Sequence, residues 1–332
     1  MVEPSSQARA GEPAPDEPEA VADPWNAEPE RRATIVATAL HGVRLDKAVV
    51  AMAPEFSRNH LQGLIEQGCV TLDGRSAASA SAKVRAGQRV ELVLVPTAES
   101  RAFRPEAIAL DRVFEDEHLL VVDKPAGLVV HPAAGNWTGT LLNGLLAHFG
   151  AAATLPRAGI VHRLDKDTSG LMVVGKTLAA VTALSREIAA RRVHRDYLAI
   201  VHGEVRDEAF SIDSPIGRDP VSRIRMAVVA SGKPARTDVQ CLARHLGYSV
   251  LRCSLHTGRT HQIRVHLASQ GHPLVADATY GGKPALGLSR QALHATHLAF
   301  AHPASAAAMR FDAGPPADIA AALAAVGTSA TP

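Results

Sequence analysis

Residues 159–176 read GIVHRLDKDTSGLMVVGK, a short charged segment between two apolar runs. Five of the six side chains at positions 162–167 are charged or polar, and they cannot all be buried because buried charges need partners. Apolar runs on either side of a polar stretch that ends near Gly170 are typical of two strands joined by a loop. The pattern therefore places residues 162–167 at the mouth of a sheet, where catalytic and binding groups are usually displayed.

The residues alone leave several interpretations of this segment open. Asp165, Asp167 and Ser169 begin like an EF-hand calcium loop, but that loop needs a glutamate at its twelfth position, where this chain has Lys176. Residues 167–170, Asp-Thr-Ser-Gly, have a faint likeness to the Asp-Thr-Gly of aspartic proteases. Those enzymes need two carboxylates that share a proton, and no second such motif occurs in the chain. A solvated turn between two strands is the remaining structural interpretation.

Four segments, in order, resemble the motifs of the RluA/RluD family of RNA pseudouridine synthases. Residues 159–176 resemble the central motif, which is His-Arg-Leu-Asp followed two residues later by Thr-Ser/Thr-Gly. The first motif is matched by VDKPAGLVVHP at 122–132, the tyrosine motif by RDYLAIVHG at 195–203, and the third by LHTGRTHQIRVH at 255–266. The resemblance spans roughly residues 110–315, and it implies an enzyme that isomerises uridine to pseudouridine in RNA.

Length and composition narrow the class of protein further. The chain has 332 residues, enough for one large domain or two unequal ones. No apolar run approaches the roughly eighteen residues of a membrane span, and no secretory signal is visible at the N-terminus. The three cysteines are scattered and form no Cys-x-x-Cys pair, which fits reduced thiols and argues against zinc. We therefore expect a cytoplasmic protein with no bound metal and no membrane partner.

Charge is distributed unevenly along the chain. Residues 1–32 hold eight acidic residues, three basic residues and six prolines, with few bulky apolar side chains. Such a composition cannot bury enough surface to fold, so residues 1–33 are predicted to be a disordered acidic tail, and 327–332 a disordered C-terminus. The rest of the chain then holds 32 basic and 25 acidic residues, a net charge of +7 that fits a polyanionic partner.

Residues 34–96 are predicted to form a small α/β module. Apolar spacing predicts short helices at 45–52 and 57–67, the second with Ser57 as its N-cap and Gly68 as its stop. Strands are predicted at 70–72 and 90–94.

This module resembles the S4 RNA-binding domain, beginning with Arg-Leu-Asp-Lys at residues 44–47. The resemblance implies that Arg44, Lys47 and Arg58 contact RNA. Seven basic residues between positions 44 and 90 outnumber the acidic ones and supply the positive charge that phosphate binding needs. From the charge alone, an ordinary solvated surface is an equal alternative.

A linker at 97–108 is predicted to lead into a catalytic domain at 109–326. The residue pattern predicts helices at 178–192, 260–270 and 317–326, and strands at 111–122, 170–176, 196–202, 235–244, 248–256 and 291–301. Strands that do not alternate regularly with helices argue for an α+β fold with a mixed or antiparallel sheet. The resemblance implies the pseudouridine synthase fold, a large bent sheet with flanking helices and the active cleft across its middle.

The same resemblance assigns three catalytic residues. Pseudouridine formation detaches uracil from ribose and rejoins it through carbon, which requires a carboxylate as nucleophile or base. Asp165 matches the family's catalytic aspartate, and Arg264 matches the basic residue that pairs with it. Tyr197 matches the active-site tyrosine, whose ring can stack on a base drawn out of its helix.

Further residues are expected to bind RNA. The target uridine must leave its stack, and in the family the arginine that corresponds to Arg163 contacts the RNA around it. We expect His162 and Arg259 to bind RNA as well. The chain has no glycine-rich nucleotide-binding motif, and an isomerisation needs no redox partner, so no cofactor is expected.

Together these features predict a monomeric RNA pseudouridine synthase of the RluD-like branch. The resemblance implies 23S ribosomal RNA as substrate, either free or in a pre-50S particle, at the hairpin loop that forms an intersubunit bridge. One alternative is a sister synthase that acts on other 23S or transfer RNA uridines. Another is a non-catalytic RNA-binding assembly factor with the same fold, against which the intact set of Asp165, Tyr197 and Arg264 argues.

Overall fold

The computed structural model describes residues 29–95, 102–222 and 224–327. The chain divides into two compact units, Met1–Thr97 and Ala98–Pro332. The disorder predicted for residues 1–28 and 328–332 concerns positions outside the described residues. Within the described ranges, no helix is both long enough and apolar enough to cross a membrane.

The first unit is a four-stranded antiparallel sheet with two helices. The strands follow the order β1-β4-β2-β3. Ser57 caps α2 as predicted, because its side chain accepts a hydrogen bond from the backbone N–H of His60 at 3.3 Å. Helices and sheet share one apolar core, in which Leu45, Leu61 and Leu92 are fully buried. The elements are β1 (Glu30–Ile35), a 3-10 turn (Thr38–Leu40), α1 (Leu45–Met52), α2 (Arg58–Glu66), β2 (Val70–Leu72), β3 (Arg75–Ser76) and β4 (Arg89–Leu94).

Strand β1 corrects the predicted boundary between tail and module. It begins at Glu30, whereas the acidic tail was expected to reach residue 33. Glu30 pairs with Leu94 and Ile35 with Arg89, so the whole strand is held by backbone hydrogen bonds at one edge of the sheet. Backbone pairing does not need apolar side chains, and an edge strand can be polar. The polar composition of residues 30–33 therefore concealed a strand.

The second unit is built on a nine-stranded mixed sheet. Its order is β5-β6-β7-β14-β8-β13-β12-β9, with β15 paired to β14, while β10 and β11 form a separate ribbon. Neighbouring strands are antiparallel except β7 and β14, which run parallel. This mixed sheet with flanking helices confirms the predicted α+β class. The strands are β5 (Arg112–Glu115), β6 (Leu119–Lys124), β7 (Ser169–Gly175), β8 (His194–His202), β9 (Ala209–Asp213), β10 (Ile216–Arg218), β11 (Met226–Val228), β12 (Arg236–His245), β13 (Tyr248–Leu255), β14 (Leu293–Ala301) and β15 (Ala308–Asp312).

The helices of this unit were predicted less completely than its strands. The first of them, beginning after Thr140, was missed, although Thr140 and Asn143 form a reciprocal capping box at its start. Two 3-10 turns, Gly150–Thr154 and Pro156–Gly159, follow it. The α-helices are α3 (Leu141–His148), α4 (Leu178–Ala189), α5 (Gln262–Ser269) and α6 (Ala317–Ala325).

The single strand predicted at 111–122 is a hairpin of β5 and β6. Asp116 makes the turn, because its side-chain oxygen accepts the backbone N–H groups of His118 and Leu119 at 2.7 and 2.8 Å. Aspartate bonded to the backbone two and three residues ahead is a common turn device. The turn is short and its flanks are apolar, so the pattern resembled one long strand.

The predicted linker at 97–108 is partly packed structure. Residues 96–101 fall outside the described residues, but Ala102 is buried. The carbonyl oxygens of Ala102 and Arg104 accept hydrogen bonds from the side-chain amide of Asn143 on α3, at 3.1 and 2.8 Å. One buried amide therefore fastens the start of the second unit to a helix about forty residues further along the chain.

The start of β7 fixes the charged segment at the sheet. Strand β7 is buried along its whole length, and it pairs with β14 only through Ser169–His294 and Gly170–Ala295. Gly170 has φ +114°, and a Cβ there would lie 2.2 Å from the carbonyl oxygen of Ala295. Only glycine fits this close approach. The charged segment at 162–167 therefore ends where two central strands meet.

Candidate active site

A cleft of about 570 Å³ opens beside the charged segment, and its walls are strongly positive. Of the described residues that line it, Asp165 is the one carboxylate, against six arginines. Such an excess of positive charge suits an anionic ligand. The six are Arg157, Arg163, Arg191, Arg195, Arg259 and Arg264.

Asp165 is held by Arg264, and Arg264 is held in turn by Asp277. Arg264 Nη1 donates to Asp165 Oδ2 at 3.0 Å, while its Nε and Nη2 both donate to Asp277 at 2.8 Å. Asp277 is fully buried, and the Asp165 side chain keeps 15% of its surface exposed. Burial lowers the pKa of Arg264, but the hydrogen bonds that Arg264 donates to Asp277 and the charge of Asp165 raise it more, so the net shift is upward. Arg264 is therefore a fixed cation that aims one carboxylate into the cleft.

A buried lysine holds the other side of the loop that carries Asp165. Lys124, at the end of β6, donates to the carbonyl oxygens of Pro125, Leu128 and Lys166 at 2.8, 2.9 and 2.9 Å. Three acceptors match the three N–H groups of an ammonium ion. Burial lowers the pKa of Lys124 to about 8, although nearby carboxylates oppose the shift. Lys124 thus joins the first motif to the residue that follows Asp165.

Tyr197 lines the same cleft from strand β8. It is buried between its neighbours Cys253 and Ala295 on the flanking strands. Burial raises the pKa of its hydroxyl, and the charge of Arg195 opposes part of that shift. The hydroxyl has no hydrogen-bond partner among the described residues, so it is free to meet a ligand. The structure thus brings Asp165, Tyr197 and Arg264 to one cleft.

His261 and Tyr280 form a second contact with the carboxylate. His261 Nε2 lies 3.8 Å from Asp165 Oδ1, and its Nδ1 is 2.8 Å from the Tyr280 hydroxyl. The Tyr280 ring lies 5.1 Å from the guanidinium of Arg264, a cation–π contact. Burial lowers the pKa of His261, although Asp165 opposes the shift. His261 is therefore a mostly neutral group within reach of the same cleft.

His162 and Arg163, both expected to bind RNA, differ in their surroundings. His162 Nε2 accepts the backbone N–H of Val173 at 3.0 Å, and burial, together with the charge of Arg195, lowers the pKa of His162 to about 3. A neutral His162 offers no positive charge and ties the loop to β7. Arg163 is exposed at the cleft.

Arg259 lies in the loop before α5. Its side chain lines the cleft while its Nε donates to the carbonyl oxygen of Pro234 at 3.1 Å. The backbone N–H of Arg259 donates to Gln262 at 3.0 Å, which orders the loop. The cation is thus held at the rim.

The predicted RNA-binding residues of the first unit surround a buried carboxylate. Asp46 is fully buried and accepts hydrogen bonds from Arg44 at 3.0 and 3.1 Å, from Arg58 at 2.8 Å and from Gln62 at 2.9 Å. The hydrogen bonds from Arg44 and Arg58 hold the pKa of Asp46 well below its usual range. Lys47 is exposed on α1 next to this cluster. Two arginines are thereby fixed in position with their side chains about half exposed.

Several residues of the site were not singled out by the sequence. Asp277 and Tyr280 lie in the turn after α5, where no local pattern marks them. Lys124 and His261 lie inside matched motifs. For Lys124 a signal existed, because a lysine next to an apolar run needs a partner if it is buried. Of the described residues, no group of three or more histidine, cysteine or acidic side chains is arranged to hold a metal ion.

Comparisons with known proteins agree with this architecture. The family model described as RNA pseudouridylate synthase matches residues 118–269, and the S4 domain model matches residues 43–90. The chain is 48% identical over 295 residues to ribosomal large subunit pseudouridine synthase D of Nitrosomonas europaea, covering 86% of this chain and 85% of that protein. It is 46% identical over 302 residues to the protein of that name from Pseudomonas aeruginosa, covering 87% and 93%.

A solved structure extends the similarity to three dimensions. Human RNA pseudouridylate synthase domain containing 1 superposes with a TM-score of 0.51 at 28% identity, covering 67% of this chain and 86% of that one. The relatives cover both units of the chain, and the family model contains the loop of Asp165, strand β8 and helix α5. The chain therefore belongs to the RluA/RluD family of RNA pseudouridine synthases, isomerases that convert uridine in RNA to pseudouridine.

Proposed function

We propose that this enzyme modifies uridines of large-subunit 23S ribosomal RNA, in the hairpin loop that forms an intersubunit bridge, with Asp165 as its catalytic carboxylate. The observation that carries the catalytic assignment is that Asp165 is the one carboxylate among the described residues that line the cleft, against six arginines. The names of the relatives from Nitrosomonas europaea and Pseudomonas aeruginosa support the ribosomal substrate.

The charge of the cleft supports RNA as the ligand that enters it. A phosphodiester chain is a polyanion, and arginines around a cleft raise its local concentration and fix its register. A base inside a helix cannot reach the carboxylate of Asp165, so the target nucleotide must first leave its stack, as base-modifying enzymes require. Exposed Arg163 lies two residues before Asp165 in the chain, where it can occupy the space that the flipped uridine vacates.

The chemistry at the flipped base needs a reactive carboxylate, a group that holds the carboxylate in position, and a surface on which the base can stack. The bond between uracil N1 and ribose C1′ breaks, the base turns, and a bond from C5 to C1′ forms while the C5 proton is lost and N1 gains one. In this proposal Asp165 acts as the nucleophile or base, and the hydrogen bond from Arg264 at 3.0 Å supports that role because it fixes the carboxylate. The Tyr197 ring provides a face on which uracil can stack, and the raised pKa of its hydroxyl keeps it protonated, so the hydroxyl can donate a hydrogen bond to the substrate.

We further propose that the reaction uses no metal or organic cofactor, because substrate and product are isomers and no electron or group comes from outside. We also propose that the enzyme acts as a monomer. The substrate is 23S RNA either free or in a pre-50S particle, and the site of action is the cytoplasm.

The test is to map pseudouridines in ribosomal and transfer RNA from a strain that lacks this protein. Complementation uses the wild type, Asp165→Asn, and Asp167→Asn as a matched control that removes a carboxylate two residues away. We expect the bridge-hairpin positions to lose pseudouridine and to regain it with the wild type and the control, but not with Asp165→Asn. Loss at other 23S or transfer RNA positions would overturn the substrate assignment in favour of a sister synthase. Restoration by Asp165→Asn would overturn the catalytic one.

A further inference from the structure

Arg195 is a buried arginine whose side chain has no partner among the residues that the structure describes. It lies on β8 with 6% of its surface exposed, and its Nε is inaccessible to solvent and makes no hydrogen bond. Across the described residues, its guanidinium makes no ion pair and no side-chain hydrogen bond. Arg264 is equally buried but is bonded to two carboxylates. An unpaired buried charge is costly, so a chain that keeps one has a use for it.

The position of Arg195 directs this charge into the active cleft. Side chains two apart on a strand point to the same face, so Arg195 and Tyr197 both face the cleft, about 6–7 Å apart along the strand. Nη1 of Arg195 also lies against Gly258, where a Cβ would come within 3.2 Å of it. The guanidinium therefore occupies the cleft wall beside the tyrosine on which the base is proposed to stack.

A second unpartnered donor lies in the same wall. His162 accepts a hydrogen bond at Nε2, so its neutral ring carries its proton at Nδ1, and that nitrogen is buried without a partner. Arg195 and His162 are close enough for the charge of Arg195 to disfavour protonation of His162. The wall of the cleft thus contains two N–H donors, one of them cationic, that have no acceptor in the described part of the chain.

We infer that Arg195, assisted by His162 Nδ1–H, binds a phosphodiester oxygen of the RNA strand adjacent to the flipped uridine. An anion compensates the buried charge, and phosphate is the anion that RNA carries, whereas a uracil carbonyl is neutral. Arg195 is then a positioning residue: it fixes the backbone so that the base lies against Tyr197 and the sugar faces Asp165. The inference deepens the proposed function, because it concerns how RNA is held at the same site.

The test compares Arg195→Gln with Arg195→Lys and with a matched control, Arg252→Gln. Arg252 lies on β13 but faces the other side of the sheet, so its loss removes the same charge away from the cleft. The substrate is a short RNA hairpin that carries the target uridine. Single neutral methylphosphonate linkages replace the phosphates around that uridine one at a time, and a separate hairpin carries sulfur in place of a uracil carbonyl oxygen.

We expect Arg195→Gln to lower kcat/KM about 10- to 100-fold, mainly through KM. The slope of log affinity against log salt concentration should be shallower by about 0.7, which is the change expected when one phosphate contact on a single strand is lost. One methylphosphonate should impair the wild type and leave Arg195→Gln unaffected, and Arg195→Lys should retain part of the wild-type sensitivity. Without RNA, Arg195→Gln should unfold at the same temperature as the wild type or higher, because an uncompensated charge has been removed.

Three results would overturn the inference. One is Arg195→Gln with the kcat/KM of the Arg252→Gln control. Another is loss of sensitivity to the sulfur-substituted base rather than to a phosphate, which would assign Arg195 to uracil. The third is a lower unfolding temperature without RNA, which would make Arg195 structural. If the wild type bound this hairpin but did not convert it, that result would count against the proposed substrate. The affinities of wild type and Arg195→Gln for hairpins with methylphosphonate linkages would still test the role of Arg195.

Discussion

The two units each contain an aspartate clamped by arginine, and the two clusters are built in opposite ways. In the first unit Asp46 is fully buried, while the side chains of Arg44 and Arg58 are 47% and 55% exposed. In the second unit the Arg264 side chain is 7% exposed, and the carboxylate of Asp165, at 15%, is the more accessible member. The buried member fixes the geometry and the more accessible member is available to the ligand. We therefore propose that the first cluster presents cations to phosphate, and that the second presents one carboxylate for chemistry.

The largest expected effect is on turnover by Asp165→Asn. Replacing the accessible carboxylate removes the reactive group and no phosphate contact, so turnover should fall at least about a thousandfold while RNA affinity stays within a few-fold. Steady-state kinetics and a filter-binding titration measure the two quantities. A variant that keeps a tenth of wild-type turnover would show that the accessible carboxylate is not the working group.

The next effect concerns the buried member of the same cluster. Arg264→Ala should reduce turnover about a hundredfold or more, and it should also lower the free energy of unfolding by about 3–5 kcal/mol, because Asp277 is left buried without a partner. Arg264→Lys should recover part of the activity, since it keeps the charge but not the fork that binds Asp277. Denaturant unfolding and turnover are measured together. Equal losses for lysine and alanine would indicate a packing role for Arg264.

In the first unit the roles are reversed, and the effect is smaller. Asp46→Asn releases Arg44 and Arg58 from their fixed positions, so RNA affinity should fall about 5- to 10-fold with a shallower salt dependence. Turnover at saturating RNA should not change. Glu66→Gln, an exposed position at the end of α2, is the control. Unchanged affinity and salt dependence would mean that this cluster does not contact RNA.

The smallest effect is a pH dependence set by Lys124. Its pKa is about 8 in the folded protein, and the ammonium form satisfies three carbonyl oxygens around the catalytic loop. Deprotonation leaves one carbonyl without a donor, so turnover should fall as pH rises through 8, by about fourfold at pH 8.5. Lys124→Met should have lower activity at all pH values, and its turnover should not show this fall above pH 8.

Stability should move in the opposite direction for the same group. The folded pKa of Lys124 lies below the ordinary value of 10.5, so between these values the unfolded chain binds more protons. The contribution of Lys124 to the free energy of unfolding should therefore rise with pH across that window. Activity and stability that fell together above pH 8 would contradict the assignment.

The sequence predicts the members of the site that lie in local motifs. Asp165 and Arg264 are 99 positions apart, yet each lies in a segment of familiar pattern, and the fold brings them within 3.0 Å. Asp277 does not lie in a recognisable motif, because its role depends on how α5 and the following turn pack together. Arg195 lies within the tyrosine motif. Whether its side chain has a partner depends on the folded surroundings, which the spacing of residues in the sequence does not show.

The fold, too, is predictable where the sequence has a clear local pattern. Strands with apolar runs, such as β7 and β14, were predicted close to their observed bounds, whereas polar β1 was assigned to the tail. A hydrophobic pattern in the sequence indicates which residues are buried. An edge strand that is held by backbone hydrogen bonds can lack such a pattern, so the sequence does not predict it. The short turn at Asp116 was likewise hidden between two apolar runs.

The most direct test measures the chemical step by itself, as tritium release from RNA labelled at uracil C5, with enzyme in saturating excess. Wild type, Asp165→Asn and Asp46→Asn are compared in a single turnover, which removes differences in affinity. We predict wild-type release with Asp46→Asn and no release above background with Asp165→Asn. Release by Asp165→Asn, or a slow chemical step in Asp46→Asn, would contradict the division of roles between the two aspartate clusters.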